Sequence, residues 1–353
     1  MLQWPGRVQH APAAVSGPAP PRRIVALGGG TGLPTVLRSL RMLVGENAPE
    51  DSITAIVAVT DDGGSSGRIR SEWHMPAPGD VRNCVAALAS DASPLTQLLQ
   101  HRMSGGSLDG HTVGNLLLAG LTQQLHGDFG SAVQELTRMV RTGGRVLPAT
   151  AQAIHLKAEF ESGEVIVGET AIAGRGRPIR RLMLEERARP LPEAIEALVN
   201  ADVIIVGPGS LYTSILPVLL TDGLAPTIYG LRSTRIYVAN LMTEPGETDD
   251  FTLERHLDVI EQHVGVPLFD YVLSNSAPIP TQTLLKYASN CAQPVLRQSA
   301  ERMYGQAAIV ERELAWQVSD GKLRHEPAQL AEALSDLFEQ DSARRAVELH
   351  HAS

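Results

Sequence analysis

The sequence predicts an α/β protein with a Rossmann-like, open, mostly parallel sheet, helices on both faces and a β-rich insertion. Short apolar runs that end in glycine or a polar residue alternate with helical patterns along most of the chain. The first run, residues 24–27, leads into "GGGTG", and Pro34 suits the first turn of the helix that follows. A segment near residues 143–190 changes to strand-like alternation and carries a run of arginines.

The pattern predicts these elements in order along the chain. Buried strands are expected at residues 24–27, 52–60, 203–206, 234–240 and 268–275, with a shorter candidate at 293–297. Helices are expected at 34–43, 80–103, 111–140 and 327–340. Ser162 and Gly163 lie at the centre of an alternating stretch and predict the turn of a β-hairpin there.

One large domain over residues 22–340 accounts for this organisation, with the insertion near 143–190 included in it. Residues 1–21 are rich in Pro and Ala and lack periodicity, so we expect a disordered extension. We expect a flexible tail at 341–353. A homodimer is the expectation for a sheet protein of this size.

Composition narrows the classes of function. The net charge is −9 and aromatic residues make up 4% of the chain, which argues against a nucleic acid partner. The two cysteines, Cys84 and Cys291, form no C-x-x-C motif, so reduced thiols in the cytoplasm are the simplest interpretation. No apolar run is long enough for a signal peptide or a membrane span, so we predict a cytoplasmic protein without membrane insertion.

The glycine run Gly28, Gly29, Gly30, Thr31 and Gly32 lies between a predicted strand and a predicted helix. In that position backbone N–H groups can approach an anion at the helix N-terminus, and the alternative is a plain tight turn. The spacing is not G-x-G-x-x-G, so the dinucleotide fingerprint is absent.

Asp61 and Asp62 follow the second predicted strand, next to "GGSSG". Ligands of open α/β sheets bind beyond the carboxyl ends of the strands, where an acid can accept a ribose hydroxyl or hold Mg²⁺. The alternative is an Asx turn with solvated acids.

Further polar positions follow the same logic at other junctions. "GPGSLYTS" offers Gly209, Ser210 and Thr213 at a second strand-to-helix junction, and Asn240 and Asn275 end two more strands. "PGDVRNC" places Asp80 as a candidate N-cap and Arg82 as a candidate phosphate ligand, beside Asn83.

The histidines and arginines allow simpler interpretations. His111 and Asn115 are four residues apart on one predicted helical face and form either a site or a core contact. His256 and His263 are expected on the surface, too far apart in sequence to share a metal ion easily. The six arginines between residues 175 and 189 indicate a solvated face, or else a surface that meets an acidic partner or phosphate.

Six motifs in this order resemble the gluconeogenesis factor family, which is related to 2-phospho-L-lactate transferase: "GGGTGL", "DDGGSSGRIR", "PGDVRNC", "GHTVGNLLLAGL", "GPGSLYTSILP" and "NLMTEPGET". The resemblance covers roughly residues 23–336. It implies a Rossmann-like fold, a cytoplasmic location and the binding of a UDP-sugar such as UDP-N-acetylglucosamine. It also implies a role in cell shape during growth on gluconeogenic carbon sources.

The same resemblance implies a nucleotide-binding set. In the related transferases an acid matching Asp62 or its neighbour holds the divalent metal, which makes Asp61 and Asp62 the candidate catalytic and Mg²⁺-binding pair. Tyr287 and Arg324 are carried over as an aromatic that stacks on uracil and a guanidinium that grips a diphosphate. The implied nucleotide-binding residues are Gly28, Gly29, Gly30, Thr31, Gly32, Asp62, Asn83, Gly209, Ser210, Thr213, Asn240, Asn275, Tyr287 and Arg324.

Three hypotheses therefore stand. The first is a regulatory protein that binds a nucleotide-sugar. The second is a Mg²⁺-dependent transferase of a phosphorus-containing group. The third is a protein that binds NAD or docks a partner through its arginines.

Overall fold

The computed structural model describes residues 23–45, 48–318 and 321–351. The strands are β1 (Ile24–Gly28), β2 (Ile53–Val57), β3 (Arg145–Pro148), β4 (Leu156–Phe160), β5 (Val165–Val167), β6 (Ile179–Leu184), β7 (Val203–Val206), β8 (Thr234–Val238), β9 (Tyr271–Asn275), β10 (Met303–Tyr304), β11 (Ala307–Arg312), β12 (Ala315–Gln317) and β13 (Leu323–His325). The α-helices are α1 (Gly32–Val44), α2 (Gly64–Trp73), α3 (Gly79–Leu88), α4 (Pro94–Gln100), α5 (Val113–Gln124), α6 (Phe129–Val140), α7 (Glu169–Ala173), α8 (Pro192–Val199), α9 (Leu216–Leu219), α10 (Leu224–Gly230), α11 (Leu253–Val264), α12 (Thr281–Ala288) and α13 (Pro327–His351). A 3₁₀ turn covers Glu50–Ser52, and one turn of π-helix covers Leu211–Ile215.

The main sheet has the strand order β10-β11-β9-β8-β7-β1-β2-β3. Its neighbours are parallel except for β10, which is antiparallel to β11. From β1 the chain moves outward through β2 and β3, and it returns to the other side of β1 through β7, β8 and β9. The order therefore reverses between β1 and β7, and ligands of open α/β sheets bind in the crevice at such a point.

Alternate residues of the central strands face two separate apolar cores. On β1, Ile24 and Ala26 pack in the core that contains α1, α3, α5, α6 and α13. Val25 and Leu27 pack in the opposite core, with α8 to α11 and the insertion. Helices on both faces of a mostly parallel sheet confirm the predicted fold class.

The insertion is shorter than predicted. Strand β3 pairs in parallel with β2, so it belongs to the main sheet and not to the insertion. The inserted sheet has the order β5-β4-β6, with α7 between β5 and β6. The hairpin expected at Ser162 and Gly163 is the antiparallel β4–β5 pair.

Other boundaries also differ from the prediction. Residues 80–103 and 111–140, each expected as a helix, form the pairs α3–α4 and α5–α6, and the stretch from Gly64, where no helix was expected, is α2. Residues 293–297 are not a strand, although Pro294 makes an isolated bridge with Met242.

The closing helix continues to His351, where we expected a flexible tail from residue 341. Asp341 is buried and accepts hydrogen bonds from Thr234 Oγ1 and, at 3.3 Å, from the Tyr271 hydroxyl, so the extra turns start from an anchored side chain. The extension predicted over residues 1–21, like residues 352 and 353, lies outside the described residues.

Within the described ranges, no single helix has both the length and the apolar composition of a membrane span. A bent pair, Leu211–Leu219 with Leu224–Gly230, meets that criterion by length and composition only. The side chains of this pair that are buried pack in the protein core.

The turns after β1 and β7 touch through their backbones. A Cβ atom built on Gly32 would lie 2.2 Å from the carbonyl oxygen of Pro208 and 3.0 Å from the amide nitrogen of Gly209. Real Cβ atoms do not approach other atoms so closely, so only glycine fits here without moving the two turns apart. The N-terminus of α1 is thereby fixed against the loop that follows β7.

Replacing Gly32 with alanine should separate these turns. We expect Gly32→Ala to lower the free energy of unfolding by about 1–3 kcal/mol, the usual cost of overpacking a close contact. Urea unfolding followed by circular dichroism measures it. Gly120→Ala is the matched control, because Gly120 lies within α5 and a Cβ there meets nothing within 4 Å. The control should be neutral or stabilising, and equal stability of the two variants would contradict the close contact.

Candidate functional site

A cavity of about 670 Å³ opens at the carboxyl ends of β1 and β7. Its walls are formed by the turn before α1, the loops after β7 and β8, the C-terminal part around α12 and β13, and the acids Asp61, Asp80 and Glu169. Several of the residues predicted from the sequence line it: Gly30, Thr31, Gly32, Asp61, Gly209, Ser210, Thr213, Asn240, Tyr287 and Arg324.

The turn before α1 is held by a carboxylate. The Gly30 N–H donates to Asp80 Oδ2 at 2.6 Å, across 50 residues of sequence. Asp80 was expected to cap α3, but its side chain instead bonds this turn. A Cβ on Gly29 would lie 2.7 Å from the same oxygen, so glycine at that position makes room for the bond.

Asp61 and Asp62 face opposite sides of the turn that follows β2. Asp61 lines the cavity, and its Oδ1 accepts from the Gly63 N–H at 2.9 Å, which is an Asx turn. Asp62 points away: it accepts from the backbone N–H groups of Glu169 and Thr170, each at 2.8 Å, and from Thr170 Oγ1 at 2.6 Å. Asp62 therefore fastens the insertion to the end of β2.

This division does not fit the Mg²⁺ pair that the resemblance implied. Both carboxylate oxygens of Asp62 already accept hydrogen bonds from α7, and Asp61 lies on the other side of the turn. Across residues 23–45, 48–318 and 321–351, no three His, Cys, Asp or Glu side chains are grouped in a way that could hold a metal ion.

Acidic side chains that sequence analysis did not assign to the site line the cavity beside Asp61. Burial raises the pKa of Glu169 to about 9, and the charges of Asp61 and Asp80 add to the effect, while the hydrogen bond from Thr60 opposes it. Burial likewise raises the pKa of Asp80 to about 6, although the Gly30 N–H works in the opposite direction. At neutral pH Glu169 therefore carries a proton and can donate a hydrogen bond.

The loop after β7 is bracketed by Asn240. Its amide group accepts from the Gly209 N–H at 2.9 Å and donates to the Gly209 carbonyl at 2.8 Å, which ties the end of β8 to this loop. Ser210 accepts from the Thr213 N–H at 3.2 Å and donates to Glu247 Oε2 at 2.6 Å. Burial and the mutual charge of Glu244 and Glu247 keep the pKa of the Glu244 carboxyl above its ordinary value.

Part of the cavity lining comes from the C-terminal part of the chain. The Tyr287 hydroxyl accepts from the Leu323 N–H at 2.8 Å, so the ring is held in place against β13. Arg324 follows on the same strand, half-buried, and forms no ion pair within the described residues. Next to it, burial lowers the pKa of His325 to about 4, so this imidazole is neutral at physiological pH.

Five of the predicted ligand residues do not line this cavity. Gly28 ends β1, and Gly29 packs against Asp80. Asn83 accepts from Arg82 at 2.6 Å, and Asn275 accepts from the N–H groups of Ala277, Leu314 and Ala315. Asn275 therefore joins the end of β9 to the segment that follows β11, whereas Asn83 lies within α3 and bonds its neighbour Arg82. Asp62 is the fifth residue of this set.

The "PGDVRNC" and "GHTVGN" motifs meet in a buried polar network. Arg82, which we considered as a phosphate ligand, instead donates to Thr112 and to Asn115 Oδ1, the latter at 3.2 Å. Ser65 Oγ contacts His111 Nδ1 at 3.1 Å and accepts from Asn115 at 3.1 Å. Of the two interpretations of His111 and Asn115, the structure favours the core contact.

Burial and ion pairs test the predictions for His256, His263 and the arginine run. His256 is 1% exposed and packs edge to face on Phe251, so the prediction of a surface histidine is wrong there. His263 is half-buried and accepts from the Leu182 N–H of the insertion at 2.9 Å. Arg175 and Arg180 are exposed and pair with Glu164 and Glu159, as a solvated face does.

Comparisons with known proteins agree with the resemblance. The family model described as 2-phospho-L-lactate transferase CofD matches residues 24–314. The gluconeogenesis factor of Halalkalibacterium halodurans is 42% identical over 316 residues, which is 89% of this chain and 95% of that protein. The chain belongs to the gluconeogenesis factor family. The family member of Bacillus subtilis is also 42% identical, over 90% of this chain and 98% of its own length.

A solved structure is similar to this member of the gluconeogenesis factor family. It is a crystal structure of a UPF0052 family protein from Bacillus halodurans, with a TM-score of 0.82 and 41% sequence identity. The match covers 88% of this chain and 98% of that one.

The protonated state of Glu169 gives stability a pH dependence. Because the folded chain holds this proton up to about pH 9 while the unfolded chain releases it near the ordinary value of 4.5, the folded state binds more protons between these limits. The contribution of Glu169 to the free energy of unfolding therefore decreases as the pH rises from about 4.5 to about 9. We expect Glu169→Gln to flatten the decline, measured as the free energy of unfolding in urea from about pH 5 to about pH 9.

Some decline should remain in this variant, since the raised pKa values of Asp80 and Glu244 act with the same sign over lower pH ranges. Glu332→Gln is the control, because Glu332 is exposed on α13. A Glu169→Gln profile parallel to those of the wild type and this control would refute the assignment.

Proposed function

We propose that this chain binds a nucleotide-sugar of the UDP-N-acetylglucosamine class in the 670 Å³ cavity and acts as a cytoplasmic regulatory protein. The observation that carries the proposal is the cavity itself, placed where the strand order reverses, with glycine turns on one wall and Tyr287 and Arg324 on the other. Its volume lies within the usual range of about 300–1,000 Å³ for small-molecule sites.

The glycine turn supports a diphosphate. The N-terminus of α1, a helix of 13 residues, begins at Gly32 on the cavity wall and favours negative charge. Across the cavity Arg324 offers a guanidinium fork that suits phosphate oxygens. The Tyr287 ring, fixed by the bond from the Leu323 N–H, supplies a face on which uracil can stack.

The acidic side chains of the cavity are compatible with an anionic ligand, because some of their carboxyls remain protonated at neutral pH. With a pKa of about 9, the carboxyl of Glu169 is a hydrogen-bond donor at neutral pH. The names of the relatives support a role in gluconeogenic growth, and we extend the proposal to the maintenance of cell shape under those conditions.

Thermal shift assays test the ligand. We expect UDP-N-acetylglucosamine to raise the melting temperature, because a ligand that binds only the folded state stabilises it by mass action. UDP-glucose, GDP and NAD are compared at equal concentrations. A shift with NAD alone would favour the dinucleotide alternative, and no response to any uridine nucleotide at millimolar concentration would reject the proposal.

Variants of the C-terminal wall locate the ligand. Arg324→Ala should weaken binding of UDP-N-acetylglucosamine by about tenfold or more, the value of a hydrogen bond to a charged group. Tyr287→Phe keeps the ring and should bind more tightly than Tyr287→Ala. Arg302→Ala is the control, because Arg302 is exposed outside the cavity. Unchanged affinity in Arg324→Ala would place the ligand elsewhere.

A second candidate is a transferase, favoured by the match of residues 24–314 to the 2-phospho-L-lactate transferase family. An acceptor hydroxyl would attack the phosphorus of a nucleotide-activated 2-phospholactate. A new P–O bond forms, the P–O–P bond breaks, a nucleoside monophosphate leaves, and Asp61 takes the hydroxyl proton.

Substitutions of the two neighbouring acids, Asp61 and Asp62, distinguish a transferase from a regulatory protein. If the chain is a transferase, Asp61→Asn should abolish release of the nucleoside monophosphate, whereas Asp62→Asn should retain part of the turnover, because Asp62 lies outside the cavity and asparagine can still accept a hydrogen bond from α7. Chromatography of the nucleotide products measures it. Absence of product with the wild-type chain, together with normal UDP-sugar binding, would leave the regulatory function alone.

A further inference from the structure

A second cavity, of about 720 Å³, lies between α2 and the insertion. Arg70, His74, His155 and Asp62 are among the residues that line it. Sequence analysis assigned no function to the first three of these residues, and none of the three lines the nucleotide cavity.

The two cavities lie on opposite sides of one thin wall. In the segment after β2, Asp61 lines the nucleotide cavity and Asp62 lines the second cavity. In the first turn of α7, Glu169 lines the nucleotide cavity and Thr170 lines the second. The hydrogen bonds between Asp62 and α7 close this wall, so the second cavity is a separate compartment.

Arg70 is a buried cation without a carboxylate at ion-pair distance in the described residues. It is 4% exposed. Its guanidinium donates to the Thr60 carbonyl at 2.7 Å and to the Ile154 carbonyl, and its Nε has no hydrogen-bond partner. Carbonyl dipoles compensate a buried charge only in part, and the carboxyls of Asp62, Glu169, Asp61 and Glu185 act on it from beyond ion-pair distance. An anion in the adjoining cavity would still gain from this charge.

Two imidazoles add donors at the edge of the same cavity. His74 ends α2 in a left-handed backbone conformation, with φ of 51°, and His155 precedes β4. Both are exposed, and neither side chain forms a hydrogen bond within the described residues. Asp62 is the acid in this set, and its oxygens already accept from three donors of α7, which partly neutralise its charge.

We propose that this second cavity binds a small phosphate-bearing anion, held by Arg70, His74 and His155. Three donors around one cavity suit the several acceptor oxygens of a tetrahedral oxyanion, and charge-assisted bonds of this kind are about twice as strong as neutral ones. The site is independent of what occupies the nucleotide cavity.

Inorganic phosphate is the probe. It is titrated into the full chain, labelled with ¹³C at the histidine rings, while chloride keeps the ionic strength constant. The ring signals of His74 and His155 should move and saturate, and those of the exposed His101 and His126 should not. The titration is repeated with UDP-N-acetylglucosamine bound in the 670 Å³ cavity. If that ligand does not bind, the titration of the free chain stands alone, so the phosphate response is judged separately from the proposed function.

The double variant His74→Asn/His155→Asn replaces the two imidazoles with shorter amide side chains, which no longer reach the anion, and leaves buried Arg70 unchanged. Asparagine tolerates the left-handed backbone at position 74. We expect phosphate affinity to fall about tenfold or more. His101→Asn/His126→Asn is the matched control, since His126 is also exposed and left-handed, with φ of 54°. Equal affinity in the two double variants, or ring signals at positions 74 and 155 that move no more than those at 101 and 126, overturns the proposal.

Discussion

The backbone contact between the turns that follow β1 and β7 is the constraint on which the site depends. These strands are neighbours in the sheet but far apart in sequence, and the missing side chain of Gly32 lets Pro208 and Gly209 lie against the start of α1. The contact places the N-terminus of α1, Ser210 and the bracket between Gly209 and Asn240 around one space. A larger residue at position 32 would displace all of these groups at once, because the contact positions the neighbours to which they are bonded.

The second feature that organises the site is that Asp61 and Asp62, adjacent in sequence, have different roles. Side chains of neighbouring residues in extended backbone point in opposite directions, and the segment after β2 continues this alternation, with Asp61 toward one cavity and Asp62 toward the other. The Asp62 carboxylate therefore accepts hydrogen bonds from α7, and its bond from the Glu169 N–H fixes Glu169 beside Asp61. An acid that sequence reasoning assigns to a ligand is here the attachment point of the insertion, and it helps to build the site without contacting what binds there.

The parallel sheet and the glycine junctions could be predicted from the sequence because both depend on local signals. Apolar runs that end in glycine identified β1 and β7, and the polar residues beyond them pointed to Ser210 and Asn240. Glu169, Asp80 and His325 could not be assigned to the site in this way. Glu169 lies in the insertion and is held at the cavity by bonds to Asp62 and Thr60, across 107 and 109 residues, and Asp80 bonds Gly30 across 50. Asn275 shows the reverse case: a polar residue at a strand end is as well suited to joining chain segments as to holding a ligand.

The acidic lining of the 670 Å³ cavity is consistent with the proposed diphosphate ligand once proton positions are considered. Four carboxyls, of Asp61, Asp80, Glu169 and Glu244, could not all be ionised in so small a space without strong repulsion. Burial and mutual charge raise the pKa of Glu169 to about 9 and that of Asp80 to about 6, so at neutral pH the first is a donor and the second is mostly an acceptor, as its bond from Gly30 requires. A bound diphosphate would raise these values further, because added negative charge favours the protonated forms. Ligand binding would therefore take up protons, and the acids would then act as hydrogen-bond donors to the ligand that their charge would otherwise repel.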